Sequence, residues 1–141
     1  MQPQDVVHTR SRVAWAVLTL ILICEGLGGA ALLWVTIQSS FAAADEPLAQ
    51  RLSILIALLL AWIWVCATLA GALSKRAPWA RGSALTIHVL LFAAGTGVLQ
   101  GILGDPLLGW ALVLLALVGF FAAVLARPTV PAAPGDPDRE T

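Results

Sequence analysis

The chain has 141 residues; 60% are apolar, 11% are charged, and eight basic residues balance eight acidic ones. Soluble domains hold about 45–50% apolar and about 25% charged residues, and a chain this short has no interior large enough to hide the excess. That composition excludes an ordinary soluble domain and makes a lipid bilayer the natural solvent.

The segment 1–12 is polar and carries Arg10 and Arg12. It precedes the first apolar run, about 13–37, which contains the stretch LTLILICEGLGGAALLW at 18–34. A basic start followed by an apolar run and FAAAD at 41–45 imitates a secretory signal. An apolar signal core has about 7–15 residues. This run is longer, contains Glu25 and is followed by three more runs, so it is expected to remain as a helix. Gly28 and Gly29 follow Glu25 by three and four residues and share its helical face. That face is expected to turn toward another helix, with Gly28 and Gly29 as packing positions.

After an acidic linker with Asp45 and Glu46, the second run covers about 52–73. Trp62 and Trp64 lie at its centre, whereas Trp15, Trp34, Trp79 and Trp110 lie near run ends, where indoles favour the membrane interface. A buried indole N–H needs an acceptor. Trp62 matches Glu25 in depth, so either it meets that acceptor or both central tryptophans face lipid or pack as bulk. Ala67 and Gly71 have the spacing of a small-residue contact.

The basic connection Lys75, Arg76, Arg81 leads to the third run, about 82–103. His88 lies about a third of the way in, shallower than Glu25. Gly97 and Gly101 have GxxxG spacing and are the expected packing glycines of this run. A GDP turn at 104–106 joins it to the fourth run, about 107–126, which has no hydrophilic side chain and reads as a scaffold helix in wide contact with lipid. The tail 127–141 is rich in proline and polar residues and reads as disordered.

Each run is about 30 Å or longer as a helix, enough to cross the hydrocarbon core. None alternates as a barrel strand does. Seven of the eight basic residues fall on one side of this topology and only Arg51 on the other. Basic short loops stay in the cytoplasm. The expected architecture is an all-α integral membrane protein: segment 1–12, a four-helix transmembrane domain over 13–126, and tail 127–141, in the plasma membrane with both termini cytoplasmic.

The hydrophilic groups inside the runs, away from their end residues, are few: Glu25, His88, Gln100 and the threonines 19, 68, 86 and 96. Threonine and glutamine suit hydrogen bonds between helices. Glu25 and His88 are the two that can move protons. Desolvation favours a neutral acid, so Glu25 is either a neutral packing hydrogen bond or a proton- or ligand-binding carboxyl. No nucleophile stands beside a base and no phosphate loop follows a strand, so no catalytic residue is expected. Cys24 and Cys66 lie in mid-run as small buried hydrophobes, and with two distant histidines they make no metal site. No cofactor and no nucleic-acid partner is expected. The expected partners are the bilayer and either a second copy of the chain or another membrane protein.

The stretch SKRAPWARGSALTIHVLLF, with an acid in the first run and VLARP closing the fourth, resembles a family of small four-span membrane proteins of actinobacteria. The resemblance covers roughly 13–128 and rests on Glu25, on Trp79-Ala80-Arg81, and on a polar residue seven positions later. That residue is often glutamine in the family and is His88 here. The resemblance implies architecture and no activity. A second resemblance is to small multidrug transporters, whose first helix carries a membrane-embedded glutamate that binds protons and cationic drugs in turn; it would assign that role to Glu25. The strong charge bias and the lack of any tyrosine depart from that pattern. The sequence thus points to a non-enzymatic structural or accessory membrane subunit, with a proton-coupled transporter using Glu25 as the alternative.

Overall fold

The computed structural model describes residues 3–42, 47–75, 77–101 and 105–126, with side chains from Arg10 onward and excluding that of Lys75. The chain forms four helices: α1 (Pro3–Ala42), α2 (Leu48–Lys75), α3 (Pro78–Leu99) and α4 (Pro106–Leu125). All four are long and apolar enough to cross a membrane. The expected disordered tail, the acidic linker at Asp45 and Glu46, and part of the turn before Asp105 lie outside the described residues.

Boundaries differ from those expected, each for a local reason. α1 has 40 residues and begins and ends beyond the apolar run, because a helix does not stop where hydrophobicity does. α3 starts at Pro78 rather than 82. Proline at the first helical position needs no N–H partner and has the helical φ, and Ala77 before it is extended at ψ 135, as a residue preceding proline prefers. α3 ends at Leu99 rather than 103, since Gly101 takes φ +78, the left-handed conformation that closes helices. α4 is capped by Asp105, whose carboxylate accepts from the Leu107 N–H at 2.9 Å, with Pro106 at the first position.

Consecutive helices run antiparallel and pack as neighbours, and α4 closes the ring against α1. α1 and α3 therefore sit on one diagonal, with no Cα pair within 8 Å. The tightest seam is α3 against α4. A Cβ on Gly95 of α3 would meet Val113, and one on Gly109 of α4 would meet Leu99 and the Gly95 carbonyl. Such glycines bring two backbones close, which is how helices associate without a hydrophobic drive. α4 is consequently no passive scaffold: Gly109, Val113, Ala116, Gly119, Ala122 and Ala123 are buried on one face, while Leu114, Val118 and Phe121 point outward.

The main core lies at the end where α1 starts and α4 finishes, and joins Trp15, Leu18 and Leu22 to Ala72, Ala80, Ala84, Ala122 and Ala123. Trp15 is only 2% exposed, so it is a core residue and not the interfacial tryptophan expected. Cys24 is an exposed free thiol and Cys66 is partly buried, which corrects the expectation that both are buried.

Candidate functional site

Trp15, Leu18, Leu22, Glu25 and Gly29 recur at intervals of three and four residues and form one stripe of α1. Three of them are core residues, so the stripe carries Glu25 inward at the level where the core ends. Across the diagonal, α3 presents His88. Its Nε2 lies 3.2 Å from Glu25 Oε1, and the two side chains are 0% and 7% exposed. This is the contact between α1 and α3 at the bundle's centre.

His88 Nδ1 is 2.6 Å from the Ala84 carbonyl oxygen one turn earlier in α3. A carbonyl only accepts, so Nδ1 carries hydrogen and Nε2 is left to face Glu25. One proton then serves the pair: it sits on Glu25 facing a bare Nε2, or on Nε2 facing a carboxylate. Both arrangements keep the pair neutral overall. The pair is close but lacks the alignment of a hydrogen bond, and neither carboxyl oxygen nor Nε2 has another protein partner. Buried polar atoms without partners are uncommon and cluster at places with a role.

Space for the imidazole comes from α4. A Cβ on Gly119 would fall on the His88 ring, colliding with Nε2 and Cδ2. Gly119 is thus the third component of the site. Behind the ring, an apolar pocket of about 200 Å³ opens between α3 and α4, lined by Val89, Phe92, Ala116, Leu117 and Phe120. Apart from His88 itself, its lining residues offer no hydrogen-bonding side chain.

Trp62 is not Glu25's partner. Its indole N–H donates to the Gly26 carbonyl at 2.9 Å, and a Cβ on Gly29 would come within 2.8 Å of its Cδ1. Gly29 is therefore a seat for Trp62. Gly28, Gly97 and Gly101 do not act as expected: a Cβ on any of them would have nothing within 4 Å. Gly28 faces outward because the stripe passes through Gly29 instead. Gly97 lies off the α4 face, which Gly95 and Val98 occupy, and Gly101 is used to end α3.

A second polar group ties α2 to α3. The Trp64 N–H donates to Ser83 Oγ at 2.7 Å, and the buried Thr68 hydroxyl is 2.7 Å from the same oxygen. Thr86 and Thr96 bond back within their own helix, and Gln100 is an exposed cap, so only Thr68 of these serves between helices as expected. Ser83 was not a sequence candidate. Its signal is approximate hairpin symmetry: Thr68 lies seven residues before the end of α2 and Ser83 five after the start of α3, so the antiparallel pair brings them to similar depth.

Among the described residues no cluster of three or more histidine, cysteine, aspartate or glutamate side chains is placed to hold a metal. Compared with known proteins, the chain matches no family model, no curated protein and no solved structure.

Proposed function

We propose that the chain is a multi-pass plasma-membrane protein with both termini cytoplasmic, acting without catalysis as a structural or accessory subunit of a membrane assembly. The observation that carries this reading is the mutual engagement of Glu25 and His88, which lie side by side where α1 and α3 face each other. The pocket behind His88 is otherwise lined by apolar side chains, which offer nothing to lead water or a cation to the ring. A polar clasp in apolar surroundings fixes which helices face each other at the cost of some stability. The outer surface supports the same role. Apart from the inward-turned Glu25 side chain, α1 after Leu22 and α2 before Thr68 are partly or fully exposed, and Gly28 lies in open space there, a backbone surface suited to close approach by another helix.

Crosslinking in native membranes followed by isolation of the full chain in mild detergent tests the proposal. It predicts a stoichiometric complex with a second copy or another membrane protein; repeated recovery of a lone monomer counts against it. A reporter fused at Thr141 should stay in the cytoplasm.

One observation favours a second reading, a proton-coupled transporter of small solutes or drugs using Glu25. Both Glu25 oxygens and His88 Nε2 lack a hydrogen-bond partner, and an ionisable group within a span is by default a candidate for proton transfer. That reading predicts solute-dependent proton movement in liposomes, abolished by Glu25→Gln.

A further inference from the structure

At the bundle end that holds the core, a groove of about 630 Å³ lies between α1 and α4. Its volume lies within the range of about 300–1,000 Å³ usual for sites that bury a ligand. The walls are Val13 and Val17 of α1 and Val118, Phe121 and Leu125 of α4, with Arg10 at the rim. Its lining spans seven residue-to-residue steps on each helix, 10–17 and 118–125, a length of about 10 Å, about two-thirds of the hydrocarbon depth of one leaflet. Arg10 is exposed and lies three residues before the apolar run that begins at Val13, which sets it at headgroup level. The neighbouring cation at this end, Arg81, is turned to the α4 carbonyls of Ala123 and Val124. Among the described residues that line the groove, Arg10 is the charged one.

We infer that this groove is a binding site for one anionic phospholipid, with an acyl chain against the valines and Phe121 and the phosphate at Arg10. The inference rests on the membrane placement proposed above and not on the subunit role. Charge complementarity selects the occupant: an apolar partner helix would leave Arg10 facing nothing, whereas a net-negative lipid satisfies both the walls and the rim. A basic side chain at the membrane surface favours anionic lipid by about fivefold.

The full chain is reconstituted into bilayers of equal phosphatidylglycerol and phosphatidylcholine, and the lipids retained on transfer to detergent are identified by native mass spectrometry. Phosphatidylglycerol should be retained over phosphatidylcholine by about fivefold. Arg10→Gln should bring the two to parity, while Arg10→Lys keeps the preference. Val118→Trp fills the groove at an outward-facing position and should lower retention of both lipids. Equal retention in the unaltered protein, a preference that survives Arg10→Gln, or unchanged retention in Val118→Trp overturns the site. Failure to enter either bilayer overturns the membrane placement and the site with it.

Discussion

At the scale of single residues, the site depends on what is missing as much as on what is present. Gly119 leaves the space that the His88 ring fills. Gly119→Ala should therefore destabilise the bundle by about 1–3 kcal/mol, the usual cost of overpacking, measured by denaturing-detergent titration in mixed micelles. The same change in a His88→Ala background should cost much less, because the obstructed ring is gone. Gly29→Val should displace Trp62 from the Gly26 carbonyl and shift the tryptophan emission, while Gly28→Val, in open space, should leave it unchanged. The position of Glu25 on the inward stripe was legible from its spacing to Leu18 and Leu22. Its partner was not. An apolar run beginning at 82 places His88 six residues into a helix, whereas α3 begins at Pro78 and carries His88 about 6 Å deeper. Gly119 escaped because an inventory of polar side chains does not see a residue whose contribution is empty space.

At the scale of the helices, stability depends on how the ends are finished. α4 ends with carbonyls that have no partner of their own. Arg81 Nε donates to the Ala123 oxygen at 2.9 Å and a terminal nitrogen donates to Val124 at 3.1 Å. Arg81 is thus a C-terminal cap delivered from another helix, in addition to any part in setting orientation. Arg81→Met should lower stability by about 1 kcal/mol, with faster hydrogen exchange confined to the last turn of α4; Arg81→Lys should recover part of it. The four helices could be read from apolar length alone. Their ends could not, since Pro78, Gly101 and Asp105 decide them through backbone geometry and capping. The packing glycines were also misplaced. GxxxG spacing at Gly97 and Gly101 is frequent in a glycine- and alanine-rich chain and does not say which face meets a neighbour.

At the scale of the whole molecule, the ring of antiparallel neighbours leaves two diagonals, and Glu25 with His88 bridges the one between α1 and α3. Interactions of this type inside membranes average about 0.6 kcal/mol and reach about 1.7 kcal/mol, so the pair adds modestly to stability. What it adds beyond that is register: sliding α3 by one turn along α1 separates the two groups by about 5 Å and leaves both buried and unpaired. The most direct test of this account is a double-mutant cycle of Glu25→Ala and His88→Ala in the full chain, followed by denaturing-detergent titration. Coupling of about 0.6–1.7 kcal/mol, with the double variant little worse than either single one, is the predicted result. Additive losses with no coupling would contradict it, leaving the two side chains as separate buried groups and α1 and α3 without a clasp.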